Sequence, residues 1–158
     1  MMSVDEGDLR ILRALQAQSN QTLKEVARET KLPVTTVHSK VKRLEKLGII
    51  RGYRAVLDPS KLDRSTAAFI LVSFAYRQPE AGRVLSQRET AREIARFREV
   101  QEVHVVTGDW DLLVKVRARD VAEVGKFVID RLRTVKGVDR TLTSVVFHTE
   151  KETLDLDI

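Results

Sequence analysis

The sequence predicts an α+β chain in two parts, a small helical head followed by a sandwich of four strands and two helices. Three observations predict it. Residues 9–44 carry apolar side chains at three- and four-residue spacing, with capping signals between the helical stretches. Beyond Asp58–Pro59–Ser60 the pattern changes to short apolar runs alternating with amphipathic stretches, in the order β-α-β-β-α-β. An apolar content of 42% in 158 residues is enough for one ordinary core or two small ones.

In the head, Leu9, Ile11, Leu12 and Leu15 recur at helical spacing, with Asp5 and Asp8 placed to cap the helix and favour its N-terminal dipole. Asn20–Gln21 interrupts that pattern. Thr22 and Glu25 have the spacing of a capping box and open a second helix whose core side is Leu23, Val26 and Ala27. Lys31–Leu32–Pro33 ends it, because proline disfavours the helical conformation in the residue before it. Pro33 is expected at the first position of a third helix, where its missing N–H costs nothing. Val37, Val41 and Leu44 form that helix's buried stripe, and Gly48 stops it. Two helices joined by a turn of about four residues have the spacing of a helix-turn-helix. Ile49–Leu57 reads as a short extended segment or wing.

Asp58–Pro59–Ser60 marks a linker, with Lys61–Ser65 polar and irregular. The boundary therefore falls near residue 60, giving domains of residues 1–60 and 61–158. Ala67–Ala75 is a continuous apolar run of strand type. Ala91, Ile94, Ala95 and Phe97 suit a helix, Val103–Val106 a second strand, Gly108–Asp111 a turn, and Leu112–Val116 a third strand. Asp120 and Glu123 open a helix carrying Val121, Val124, Phe127, Val128, Leu132 and Val135, and Gly137 ends it. Leu142–Phe147 supplies the fourth strand. The order matches a ferredoxin-like βαββαβ sandwich. Such a sheet has one face left over beyond its two helices, which sheet-to-sheet dimerisation would cover. Phe69, Phe74, Phe127 and Phe147 are expected as core or interface residues.

Lys+Arg 28 against Asp+Glu 23 gives a net charge of +5, which suits an anionic partner or a solvated surface according to where the charge lies. It is concentrated. From Lys31 to Arg54 the charged residues are Lys31, Lys40, Lys42, Arg43, Glu45, Lys46, Arg51 and Arg54, with a single acid among them. Thr35, Thr36, His38, Ser39 and Lys40 lie near the start of the third helix, where they can donate and accept at base edges in the major groove. Lys42, Arg43, Lys46, Arg51 and Arg54 are placed to neutralise phosphates, which orients a protein on double-stranded DNA without reading its sequence. A basic helix alone favours a solvated face; the capping box, the short turn and the basic segment after it favour DNA.

The absence of cysteine excludes a disulfide framework, a thiolate metal site and a cysteine nucleophile. The acidic start is unlike a signal peptide, and no apolar run approaches the roughly 20 residues a membrane helix needs. A soluble cytoplasmic protein with no membrane partner is expected. No metal-ligand spacing, no nucleophile with a base and no phosphate-binding glycine loop is present, so neither catalytic residues nor a cofactor is assigned.

The runs KLPVTTVHSKVKRLEKLGIIRGYRAVLD, VTGDWDLLVKV and KGVDRTLTSVVF resemble the Lrp/AsnC, or feast/famine, family of transcriptional regulators over about Val4 to Phe147. The resemblance implies a winged helix-turn-helix joined by a strand-like hinge to an effector-sensing domain. It implies dimers assembling to tetramers or octamers, and an amino-acid-type effector at subunit contacts. Thr35, Thr36, Ser39, Lys40 and Arg43 match the family's recognition helix. Gly108, Asp109, Trp110 and Asp111 match its Gly-x-x-Asp turn beside the effector, and Thr141, Thr143 and Ser144 its last strand. Two departures stand out. Pro33 replaces the serine that caps the recognition helix in many members, and Arg77–Glu89 is longer than the usual connection.

Read without the family, Gly108–Asp109 is adequately explained as a tight turn, since both residues tolerate positive φ. That does not account for Trp110 and Asp111, an aromatic and a carboxylate that could hold a ligand's apolar part and its ammonium group. Both readings stay open at this point. Two other functions remain in play. One is an architectural protein that coats DNA with little sequence choice. The other is an enzyme resembling the sirohaem decarboxylases, for which His104, His148, Arg117 and Arg140 would be the pocket residues.

Overall fold

In the computed structural model, which describes residues 4–75 and 86–158, the chain forms two compact units, Met1–Leu57 with Glu152–Ile158 and Asp58–Lys151. The first part of the long connection Arg77–Glu89 lies outside the described residues.

The first unit holds three helices. Helix α1, Glu6–Ala17, is closed at its start by a reciprocal box: Asp5 accepts from the Asp8 N–H and Asp8 accepts from the Asp5 N–H, both at 2.9 Å. Helix α2, Leu23–Thr30, begins with the expected Thr22–Glu25 box, in which the Glu25 carboxylate accepts from the Thr22 N–H at 2.7 Å. It ends on Lys31 in the left-handed conformation at φ 57°, and the Leu32 N–H reaches back to the Ala27 carbonyl.

Helix α3 spans Val34–Lys46. Pro33 stands one residue outside the first helical position that the sequence suggests. Its ψ of 142° is extended, so it is the flanking residue, and having no side-chain acceptor it leaves the first N–H groups of α3 without a side-chain cap. Gly48, at φ 69°, closes the far end: its N–H reaches Glu45, and that of Ile49 reaches Leu44. Ile11, Ala14, Val26, Ala27, Val37 and Val41 form the core, as the helical spacing requires. The short extended segment or wing expected over Ile49–Leu57 carries no ladder hydrogen bonds along most of its length. Residues 51–57 join no ladder and are exposed throughout. The tail lies with this unit although the sequence groups it with the second. The Gln16 side chain donates to the Leu156 carbonyl at 3.0 Å and accepts from its N–H at 2.8 Å, and Arg13 donates to the Ile158 carbonyl.

The second unit follows the βαββαβ order: β1 Thr66–Phe74, α4 Gln87–Ile94, β2 Val100–Val105, β3 Leu112–Ala118, α5 Val121–Asp130 and β4 Val138–Val145. A single antiparallel sheet runs β2-β3-β1-β4, so the most apolar strand, β1, is interior. Ala68, Ile70 and Val72 of β1 join Val114 and Val116 of β3 beneath Ile94, Val124, Phe127 and Val128 of the two helices. No described helix covers the opposite face. There Phe69 pairs with Lys115 and Ser144, and Leu71 with Leu113 and Leu142.

Two expectations needed correction. The last helix does not run to Val135: Arg131 leaves the helical region at φ −127°, ψ −55°, and a 3₁₀ turn over Leu132–Thr134 keeps Leu132 and Val135 buried. Its guanidinium is engaged elsewhere, 2.6 Å from Glu99 and 4.5 Å from the Phe97 ring centre. The last strand starts at Val138 and stops at Val145, earlier than Leu142–Phe147 suggests, and Phe147 is fully exposed, which leaves the interface place of the two expected for it.

Candidate functional site

Helix α3 presents three longitudinal rows. Val37, Val41 and Leu44 face the core. On the opposite side Thr35, His38, Ser39, Lys42 and Lys46 are exposed, continued beyond Gly48 by exposed Arg51 and Arg54. Ser39 donates to the Thr36 carbonyl at 3.0 Å, which leaves its oxygen free to accept. Lys42 lies 3.5 Å from Glu45, an exposed i,i+3 pair that holds the ammonium only loosely. No ion pair ties Lys46, Arg51 or Arg54 to any described residue. These cations are therefore open to an anion brought from outside.

The third row behaves differently. Thr36 is half-buried, and Lys40 and Arg43, one turn further on, point to the start of α1. Lys40 Nζ lies 2.5 Å from Asp5 Oδ2 and 3.1 Å from Asp8 Oδ1, and Arg43 donates to the other Asp8 oxygen. Asp8 is fully buried. Burial alone would raise its pKa, but Arg43, the Asp5 N–H and Lys40 together outweigh that and hold it at about 2. The same contact with Asp5 raises the Lys40 pKa. Lys40 and Arg43, which sequence reasoning groups with the DNA contacts, thus have their charges committed within the unit. The signal was available in part: Asp8 sits three residues before Ile11, on the core side of α1, and a buried carboxylate requires a cation. Which cation it finds, 32 and 35 residues away, is a tertiary fact.

In the second unit the turn residues Gly108 and Asp109 are exposed, with Gly108 at φ 112°. Asp111 is half-buried and its carboxylate is a structural junction. It accepts from the Phe74 N–H at 2.8 Å and from the Gln87 side chain at 2.6 Å, tying the end of β1 to the start of α4. Its backbone N–H donates to Val72 and its carbonyl accepts from Val106, closing the turn. Beside it the half-buried Trp110 ring has the Arg140 guanidinium 5.8 Å from its centre. Neither Gln87 nor the place of Arg140 over Trp110 was legible, because both depend on the pairing of β1 with β3 and β4.

That pairing also divides the candidate strand residues. Thr141 stands opposite Val72 and Thr143 opposite Ile70, so both share the helix-covered side of the sheet, and Thr141 accepts from Arg133 at 3.2 Å. Ser144 stands opposite Phe69, on the open side. The fold gathers Gly108–Asp111, Arg140 and Thr141 at the end of the sheet where β1 finishes and β3 begins. It places Ser144 on the other face.

His104 and His148 each contact a glutamate two residues away, Glu102 at 3.2 Å and Glu150 at 3.1 Å. Among the described residues no cluster of three or more His, Asp or Glu side chains could hold a metal ion, and no helix is long and apolar enough to cross a membrane.

Residues 5–51 match the family model of a winged helix-turn-helix DNA-binding domain, and residues 68–156 match that of the Lrp/AsnC ligand binding domain. The chain is 42% identical to an "Uncharacterized HTH-type transcriptional regulator PH1916" of Pyrococcus horikoshii, over 94% of this chain and 96% of that one. It is 35% identical to the HTH-type transcriptional regulator FL11 of Pyrococcus abyssi, over 99% and 98% of the two chains. Among solved structures, the transcriptional regulator NMB0573 from Neisseria meningitidis, crystallised as a complex with L-Met, superposes with a TM-score of 0.86 at 27% identity, covering 98% of this chain and 97% of that one. An AsnC family regulator from Agrobacterium tumefaciens gives 0.87 at 25% identity, with coverage of 98% and 97%.

Proposed function

Because the chain belongs to the Lrp/AsnC family of transcriptional regulators, we propose that it reads duplex DNA through the outward row of α3 and that an amino-acid-type effector sets this activity. The observation that carries the first half is the segregation of α3 into a braced row and an open row. Thr35, His38 and Ser39 are assigned to base edges; Lys42, Lys46, Arg51 and Arg54 are assigned to phosphates. Lys40 and Arg43 set the helix's position instead, and Thr36 lies half-buried on the same side.

For the effector, the support is the matched ligand-binding domain together with the L-Met bound to the Neisseria protein. We place the ligand near Gly108, Asp109, Trp110 and Thr141, with Asp111 holding the turn in shape rather than meeting an ammonium group. Thr143 shares the Thr141 face, and Ser144 would reach a ligand only from the opposite side. Residues 1–60 are the DNA-binding domain and hinge, and 61–158 the sensing and assembly domain, with the tail 152–158 lying against the former. The open sheet face, with Phe69, Leu71, Leu113 and Leu142, is assigned to a homodimer that assembles further to a tetramer or octamer. The protein works in the cytoplasm as a regulator and not as an enzyme.

Titration of the chain's own promoter against random duplex tests the DNA reading. A preference of at least roughly a thousandfold is expected; equal affinity would make it a DNA-coating protein instead. A thermal-shift screen of the twenty amino acids tests the effector. A ligand that binds only the native form raises the midpoint in proportion to the logarithm of its concentration, and a screen with no shift at millimolar ligand removes the amino-acid effector.

A further inference from the structure

We infer that α4 of the ligand-binding unit is a second DNA-backbone contact, an arginine ridge formed by Arg88, Arg92 and Arg96. The inference rests on the DNA-binding reading and goes beyond its helix-turn-helix.

Helix α4 turns Thr90 and Ile94 into the core, with Ala91 and Phe97 packed beside them. Arg88, Arg92 and Arg96 recur at four-residue spacing on the opposite side, and all three are exposed. Arg96 lies just past the last α-helical residue. The winding continues through it, because the Ala95 N–H bonds to Ala91, that of Arg96 to Glu93 and that of Phe97 to Ile94. The three guanidinia therefore form one row about 12 Å long.

Like charges at i,i+4 repel, and a surface helix ordinarily relieves them with acids four residues away. Here the acids Glu89 and Glu93 stand three residues before Arg92 and Arg96, beside the row, and form no ion pair with it. No described residue forms an ion pair with Arg88, Arg92 or Arg96. A row of unpaired guanidinium groups on one face gains most from an extended polyanion. The guanidinium fork suits phosphate oxygens, and duplex DNA presents one phosphate for about every 1.7 Å of its axis. Such a contact carries no sequence information. It would hold DNA flanking the operator against the sensing domain.

The test is the salt dependence of binding of the full chain to a duplex of about 150 base pairs. Wild type is compared with R88A/R92A/R96A and with R88K/R92K/R96K, and sedimentation of each protein is recorded alongside. The alanine variant should lower the magnitude of the log–log slope by about two to three, near 0.9 for each phosphate no longer neutralised. The lysine variant should retain it, and both should sediment as wild type. An unchanged slope in the alanine variant overturns the ridge, and if its assembly state then changes, α4 is an interface between copies. A slope reduced equally in the lysine variant also overturns it, since a phosphate contact survives that exchange. A wild-type chain that binds no duplex fails at the earlier step, the DNA-binding reading itself.

Discussion

Asp8 is the residue on which the geometry of the reading head turns. It is a carboxylate without solvent exposure, satisfied by Arg43, Lys40 and a backbone N–H. Removing one partner of a buried charge costs more than the contact itself contributes, because the remaining charge stays desolvated. Arg43→Ala is therefore expected to destabilise the head by about 1–3 kcal/mol in denaturant unfolding. Lys46→Ala should leave stability within about 0.5 kcal/mol while lowering the salt slope of DNA binding by about one. A result with the two effects exchanged would refute the division of α3 into braced and open rows. Acid provides a second readout. The folded pKa of Asp8, about 2, lies below its ordinary 3.8. Its contribution is thus complete above pH 4 and is lost as the pH falls from about 4 to about 2, a change of about 2 kcal/mol. Asp8→Asn should flatten the stability curve over that interval, and an unchanged curve would show that the carboxylate is not held in this way.

At the scale of elements, the sequence was most informative where a signal is local. The Thr22–Glu25 box, the Asp5–Asp8 cap, the Gly48 stop and the Val37–Val41–Leu44 stripe depend only on neighbours within a turn or two. Each is found in the structure. It was least informative where a distant partner decides. Arg131 breaks the last helix while engaged with Glu99, and β4 starts at Val138 because Gly137 takes a positive φ against β1. For the same reason the sequence names Thr141, Thr143 and Ser144 together without showing that they divide between two faces of the sheet. Two substitutions probe the turns with opposite signs. Lys31 carries a side chain at φ 57°, so Lys31→Gly should raise stability by about 0.5–1 kcal/mol in thermal unfolding. Gly137, at φ 91°, has no room: a Cβ there would lie 2.3 Å from the Phe74 ring. Gly137→Ala should cost about 2 kcal/mol or more, and a neutral result would mean that β4 can shift away from β1.

At the scale of the molecule, the described residues cover the sheet on one side only. Leu71 and Leu113 are direct neighbours on the uncovered side, flanked by Phe69 and Leu142. If this face joins two copies, Leu71→Lys with Leu113→Lys should shift the sedimenting species to the monomer, and the far-ultraviolet dichroism should be retained. A doubly substituted chain that still sediments as wild type would place the dimer elsewhere. The three rows of α3 also bear on redesign. Specificity could be transplanted by varying only Thr35, His38 and Ser39, because these exposed side chains make no contact with the core of the head. A library confined to them, with proline and glycine left out, should keep most members folded. One that also varied Lys40 and Arg43 would lose much of its diversity to collapse, and its survivors would be selected for retaining the brace instead of for the operator they recognise.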